Sequence, residues 1–230
     1  MTMQRRITGK KINFRPMIEA ELSREERDRA YGRQERVARN KRIIANQLHA
    51  ASTKIIESKP KAARWYCLRV ETGREFAVEK VLSDASVEVC APREKWVRVW
   101  RGEKIEGESP LFASYILVRC VPSADAFVGL KRQKSVMDIV GGDTGYHVVR
   151  DEIVEAFKAL TVECEIPRIA TDKTMTDGDR ALIEVGPFAG FECVVVSVKW
   201  SRQARASVLI TVDGRQFPID SMPLAFLKKL

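Results

Sequence analysis

The apolar positions of this chain change period several times, and each change predicts an element. From Ser23 to about His49, Glu and Arg alternate closely around a thin apolar stripe of Tyr31, Val37, Ile44 and Leu48, which predicts a weakly amphipathic helix. Ser23-Arg24-Glu25-Glu26 marks its start as a capping box, with the serine hydroxyl accepting from the third helical N–H and Glu26 reaching back. Lys59 to Ala63 reads as a linker. The period then becomes two: Trp65, Cys67 and Arg69 share one face of a strand over Arg64–Val70, and Tyr66, Leu68 and Val70 the other. Thr72-Gly73 turns the chain into a short helix carrying Phe76, Val78, Val81 and Leu82, and Val87 to Pro92 is the next strand. Lys95 to Trp100 alternates again, with Trp96, Arg98 and Trp100 on one face, and turns through Arg101-Gly102-Glu103-Lys104 into a partner strand from Ile105. Ile116 to Cys120 has the apolarity of a central strand. A second helix follows over Ser123–Leu130, then a basic loop, Lys131-Arg132-Gln133-Lys134, a strand over Val136–Val140, and a third helix over Asp151–Leu160 with Asp151 as N-cap.

Beyond a Thr-, Asp- and Pro-containing linker at 163–176, the pattern is β-rich to the end. Gly178-Asp179-Arg180 leads into Ala181-Leu182-Ile183. Val185-Gly186-Pro187-Phe188-Ala189-Gly190-Phe191-Glu192 then turns the chain into the Val-rich run Cys193 to Val198. Ala206 to Val212, Asp213-Gly214 and Gln216 to Ile219 read as a hairpin. Phe188 and Phe191 lie three apart around the bend, so at least one of them is expected to plug the end of a small barrel.

Charge changes this picture at one end of the chain. The 230 residues carry a formal net charge of +9. Residues 1–64 hold 17 Lys and Arg against 7 Asp and Glu, and the remainder 23 against 24, so all the excess lies in the first quarter. Met1 to Pro16 is basic, poor in large apolar residues and expected to be disordered. The helix that follows reads either as a solvated charged helix or as a phosphate-facing arm. On the second reading Arg33, Arg36, Arg39, Lys41 and Arg42 are the nucleic-acid-binding candidates. Cys67, Cys90, Cys120, Cys164 and Cys193 show no metal-ligand or Cys-x-x-Cys spacing and are expected to be small buried hydrophobes in a reducing cytosol. No run of about eighteen apolar residues and no signal sequence is present, which places the expectation at a cytoplasmic protein without a membrane partner.

Two groups of residues resemble a known family. The Gly-Asp before an apolar strand, the Gly-Pro-Phe-Ala-Gly-Phe turn and the second Val-rich strand resemble the KOW motif. Trp65-Tyr66 at the domain start, a helix after Gly73, the Cys90-Ala91-Pro92 strand end, the Arg101-Gly102 hairpin and Pro110-Leu111-Phe112-x-x-Tyr115 resemble the N-terminal domain of the NusG family, including its specialised RfaH-type members. The resemblance covers Arg64 to Leu230 and implies an α+β fold. Residues 1–63 are a basic, partly helical extension with its helix at about 23–49. Residues 64–162 are the N-terminal domain, an antiparallel sheet with flanking helices, and after the linker residues 177–230 are a small KOW SH3-like β-barrel.

It also implies a function without covalent chemistry: a transcription elongation factor that bridges the cleft of RNA polymerase at the clamp and promotes processive elongation and antitermination. The implied polymerase-binding residues are Trp65, Tyr66, Arg69, Phe112, Tyr115 and Leu117, with Lys131, Arg132 and Lys134 toward the opposite pincer. Ala113 and Ser114 stand where the family usually has Pro followed by Gly or Asn, which removes a stiff turn. The implied partner-binding residues of the KOW segment are Phe188, Phe191, Asp213 and Arg215, for a ribosomal protein or the Rho helicase. The family commonly has Ile-Phe-Gly-Arg where this chain has Val212-Asp213-Gly214-Arg215, and loss of the exposed Phe predicts weakened coupling. A monomer with no cofactor and no metal is expected. His49 and His147 have no evident nucleophile or carboxylate partner, and no phosphate-cradling loop occurs, so an enzyme is not indicated. A housekeeping NusG that couples polymerase to Rho or the ribosome, and a KOW-bearing RNA-binding or ribosome-associated protein, are the alternative readings. The near-neutral balance after Arg64 disfavours the latter.

Overall fold

The computed structural model describes residues 20, 22–142, 145–163, 174–200 and 204–230. The basic stretch Met1 to Pro16, Cys164 and most of the linker at 163–176 lie outside the described residues. The chain divides into two compact units, 1–42 and 43–230.

Helix α1 (Arg24–His49) contributes its residues through Arg42 to the first unit. Its start is the capping box: the Ser23 hydroxyl accepts from the Glu26 N–H at 3.3 Å, and the Glu26 carboxylate accepts from the Ser23 N–H at 3.0 Å. The hydrogen bonds from Ser23, backbone first, hold the Glu26 carboxyl below its ordinary pKa.

In the second unit, the end of α1 and helix α2 (Thr53–Ser58) lead through a 3₁₀ turn, Pro60–Ala62, into strand β1 (Arg64–Val70). Helix α3 (Glu75–Asp84), β2 (Glu88–Cys90), β3 (Arg93–Trp100), β4 (Glu103–Pro110), β5 (Tyr115–Cys120), helix α4 (Ala124–Lys131) and β6 (Val136–Ile139) follow. The short strands β7 (Gly141–Gly142), β8 (Gly145–Tyr146) and β9 (Val148–Val149) precede helix α5 (Asp151–Glu163). One antiparallel sheet runs in the order β2, β5, β1, β6, with β9 also on β1, while β3 and β4 form a separate two-stranded ribbon.

The register Trp65↔Arg119, Cys67↔Leu117 and Arg69↔Tyr115 puts the odd-numbered side chains of β1 on one face with Tyr115 and Leu117. Tyr66, Leu68 and Val70 take the other face. There they form a core with Val78 and Leu82 of α3, Ala126 and Leu130 of α4, and Leu48 at the end of α1. The last turn of α1 approaches α4 backbone to side chain: a Cβ on Gly129 would lie 2.6 Å from the Gln47 carbonyl carbon and the Leu48 nitrogen, so only glycine fits. The Arg132 guanidinium donates to the Gln47 amide oxygen at 2.9 Å beside that contact.

The C-terminal strands are β10 (Arg180–Ile183), β11 (Glu192–Lys199), β12 (Arg205–Val212), β13 (Arg215–Pro223) and β14 (Leu227–Lys229). Asp213 and Gly214, at φ 47° and 80°, make the two-residue turn between β12 and β13. The closed SH3-like barrel expected from the sequence does not form. Among the described residues the strands make an open path, β13, β12, β11, β10, β14, with no ladder between its ends. Pro218 and Pro223 leave β13 without two of its N–H donors, and the chain passes from Pro223 through a 3₁₀ turn, Leu224–Phe226, directly into β14. The ends of the sheet are thus joined by covalent chain rather than by hydrogen bonds. The inward faces of Ala181, Ile183, Val195, Val208, Ile210, Phe217 and Ile219 are nevertheless fully buried, in one cluster with Trp65 and Tyr115 of the first sheet and Phe112 of the loop before β5.

Candidate functional site: two facing surfaces

The loop before β5 sets Phe112 and Tyr115. Ser114 between them takes φ 69°, a left-handed conformation that costs a residue with a Cβ about 1 kcal/mol or more. Three contacts hold it there. Its N–H donates to the buried Glu75 carboxylate at 2.7 Å, its hydroxyl shares a hydrogen with Thr72 Oγ1 at 2.6 Å, and its carbonyl accepts from the Val70 N–H at 2.8 Å. The Ala113-Ser114 turn therefore has a polar lock in place of the stiff Pro turn.

Phe112 and Tyr115 are 1 % and 2 % exposed, and what covers them is the C-terminal sheet. The Tyr115 ring meets Phe188 edge-on at 5.2 Å, and its hydroxyl donates to the Pro218 carbonyl at 2.8 Å. Burial above all pushes the Tyr115 hydroxyl well above the ordinary tyrosine pKa. Phe112 lies against Phe157 of α5 at 5.5 Å and Phe226 at 6.1 Å, and Gly186 passes so close that a Cβ there would sit 2.9 Å from the Phe112 ring. Trp65 and Leu117 are buried in the same cluster, with the Lys158 ammonium 4.8 Å from the Trp65 ring centre.

The KOW candidates face the other way into this contact. Phe188 is fully buried, and half-buried Phe191 meets His147 edge-on at 4.9 Å. His147 Nε2 lies 3.3 Å from the Pro187 carbonyl; burial chiefly lowers its pKa, partly offset by that carbonyl and by Asp213. Asp213 sits against Gly142, where a side chain would overlap it. Arg215 pairs with Asp138, which also accepts from Lys131 at 2.7 Å. Burial works to raise the Asp138 pKa, but the hydrogen bonds from Lys131, Arg215 and the Ile139 N–H outweigh it and hold the carboxyl below its usual range.

Of the polymerase-binding candidates, the structure gathers Trp65, Phe112, Tyr115 and Leu117, with Arg69 paired to Tyr115 in register. Tyr66 is on the opposite face, edge-on to Phe127 at 5.1 Å. Lys131 is engaged by Asp138 and lies over Tyr146, Arg132 is engaged by Gln47, and Lys134 is exposed. Arg33, Arg36, Arg39, Lys41 and Arg42 are all exposed on α1. Sequence reasoning missed Glu94 and Arg205, an ion pair between the root of β3 and β12 whose side chains are 12 % and 17 % exposed. Glu94 Oε1 also accepts from the Ser109 hydroxyl at 3.0 Å, while Oε2 is buried without a partner. Nothing local in the sequence joins them, because they lie 111 positions apart on different strands. His147, Phe157, Phe226 and Pro218 were likewise invisible as site residues.

The antiparallel sheet carries α3 and α4 on one face and, on the other, the Phe112–Tyr115 aromatic cluster with α5, over which the C-terminal sheet is packed: two apolar surfaces of the kind that serve protein binding. The family profile described as transcription termination factor nusG matches residues 63–180, more than half of the chain, and the chain belongs to the NusG family. The Synechocystis protein named transcription termination/antitermination protein NusG is 25 % identical over 183 residues, covering 70 % of this chain and 87 % of that one. The protein of the same name from Deinococcus radiodurans is 27 % identical over 181 residues, covering 68 % and 94 %. Among solved structures, one described as domain interaction in Thermotoga maritima NusG covers 73 % of this chain and 97 % of its own, at 20 % identity and a TM-score of 0.38. The chain accordingly has the general role of a NusG-type factor in transcription elongation and antitermination, and is not an enzyme. Proteins of this family interact with RNA polymerase. Among the described residues no helix is long and apolar enough to cross a membrane.

Proposed function

We propose that residues 64–162 bind the clamp region of RNA polymerase through the pocket around Phe112 and Tyr115, that residues 177–230 recruit a further partner through Phe188, Phe191 and Arg215, and that the two surfaces occlude one another until the domains part. The observation that carries this reading is the mutual burial: the residues the family resemblance gives to polymerase and those it gives to the second partner are packed face to face. An apolar pocket that takes a helix tip must be vacated first, so the closed arrangement is a resting form with reduced apparent affinity. Processive elongation would follow from bridging the polymerase cleft, with residues 163–176 as the tether. The partner of the KOW segment is a ribosomal protein or Rho.

The test is a titration of core RNA polymerase with the wild-type chain, Glu94→Gln, and Glu94→Gln with Tyr115→Ala. Glu94→Gln removes the charge that pairs with Arg205 and should bind at least tenfold tighter than wild type. Adding Tyr115→Ala should take at least tenfold away. Polymerase binding that is absent from both wild type and Glu94→Gln would defeat the reading.

A further inference from the structure

We propose that residues 29–42 of α1 form a helical arm that lies in the major groove of double-stranded DNA. Between Arg29 and Arg42 the helix carries Arg29, Arg33, Arg36, Arg39, Lys41 and Arg42 against the single acid Glu35, and all seven are exposed. The other acids of α1, Glu25, Glu26 and Asp28, lie in its first turns, where Glu26 serves the cap and Glu25 lies 3.6 Å from Arg29. A helix built to stand in water is laced with i,i+4 ion pairs. Here Arg33, Arg36, Arg39, Lys41 and Arg42 have no acidic partner among the described residues, although Glu35 is spaced to reach Arg39. The cations are left for something outside the chain. With Tyr31 and Val37 exposed at 47 % and 48 %, the apolar stripe is too thin for a hydrophobic partner to supply the affinity.

The arrangement selects among polyanions. At 3.6 residues per turn Arg29, Arg33, Arg36 and Asn40 fall within an arc of roughly 60°, over a length of roughly 16 Å. Arg39 lies on one flank of that arc and Lys41 on the other, roughly 90° and 110° from its centre, while Arg42 falls toward the back of the helix. A helix seated in the major groove, about 12 Å wide, has base edges in front and phosphates of a different strand on each side. That is the distribution found here: central arginines and an asparagine, the side chains that read guanine and adenine edges, with cations flanking them. Single-stranded nucleic acid is bound instead by a run of aromatic platforms, and this stretch has only Tyr31.

The inference does not rest on polymerase binding, and its test omits polymerase. Fluorescence anisotropy of the full chain would be measured on a 20-base-pair mixed-sequence duplex and on one of its strands. The variants are Arg39→Gln/Lys41→Gln and the charge-preserving Arg39→Lys/Lys41→Arg, with helicity followed by circular dichroism. The duplex should be preferred over the strand. The glutamine variant should bind it at least tenfold more weakly at about 0.1 M salt, its salt slope shallower by about 1.8, which is two phosphate contacts at about 0.9 each. The charge-preserving variant should restore most of the affinity. Failure of the wild type to bind duplex at about 0.05 M salt, an unchanged slope in the glutamine variant, or preference for the single strand would each overturn the inference.

Discussion

The Tyr115 hydroxyl donates to the Pro218 carbonyl at 2.8 Å, across 103 positions of sequence. Tyr115 belongs to the first sheet and Pro218 to the second, so this bond exists only while the two are seated together. Pro218 has no N–H to give the ladder, yet it sits in register opposite Leu209 and its carbonyl is the acceptor that orients the tyrosine ring against Phe188. Tyr115→Phe keeps the ring and removes the bond, which should weaken the closed arrangement by about 1 kcal/mol. A fluorescence pair placed on the two sheets should report a closed fraction lowered by roughly fivefold in its equilibrium constant. An unchanged fraction would mean that apolar packing alone holds the sheets together.

His147 makes the same contact sensitive to pH. Burial disfavours its charged form, so its folded pKa is below the unfolded value of about 6.5. The unfolded chain then binds more protons in the window between those two values, and stability falls as the pH drops below about 6.5 through the folded pKa. Lowering the pH from 7.5 to 5.5 should therefore open the wild-type chain, and His147→Gln should show a flatter profile over that interval in the same fluorescence measurement. Equal slopes in the two proteins would remove His147 from the contact's pH response.

Gly142 seats the β12–β13 turn. A methyl group there would overlap Asp213, whose turn conformation is already fixed at φ 47°. Gly142→Ala should push the turn away, separate Arg215 from Asp138 and raise the accessibility of Phe188 and Phe191. Hydrogen exchange at residues 186–192 should quicken by at least tenfold, with α3 and α4 unaffected.

Gly129→Ala tests the seat of α1's last turn. The atoms it would meet at 2.6 Å are backbone of Gln47 and Leu48, which cannot rotate aside, so overpacking should cost about 2–3 kcal/mol. Urea denaturation would give this value directly. A loss below about 0.5 kcal/mol would show that the turn shifts freely.

At Ser114 the left-handed backbone and the side-chain lock oppose each other. Ser114→Gly relieves about 1 kcal/mol of backbone strain and forfeits the hydroxyl contact with Thr72, so its melting temperature should stay close to wild type. Ser114→Val keeps the strain, adds β-branching and loses the contact, and should destabilise by more than about 2 kcal/mol.

Much of the first sheet was legible because alternation is a local signal. Trp65, Cys67 and Arg69 against Tyr66, Leu68 and Val70 divided correctly between two faces, and the capping box at Ser23 formed as the spacing required. The closed barrel was not legible in the same way. Strands β10 to β13 were, but β14 carries no periodic signal, and whether it shares a ladder with β13 depends on where the prolines of β13 fall relative to it. The candidate site is legible only half at a time. Phe112 and Tyr115 came from one motif and Phe188 and Phe191 from another, and nothing in either motif says that each group is the cover of the other.

The sequence by itself determined the longer strands, the capping box at Ser23, the turn at Asp213-Gly214 and the basic character of α1, because these follow from side-chain chemistry within a few residues; Asp151, expected as an N-cap, is instead the first helical residue, with Arg150 before it. Only the tertiary structure decided that Glu94 meets Arg205, that Tyr115 meets Pro218 and that His147 is enclosed by Pro187 and Phe191. The physical reason is that burial and pairing between residues 40 to 111 positions apart are properties of two surfaces meeting. Their energies come from water excluded at that contact, and no stretch of one surface encodes the shape of the other.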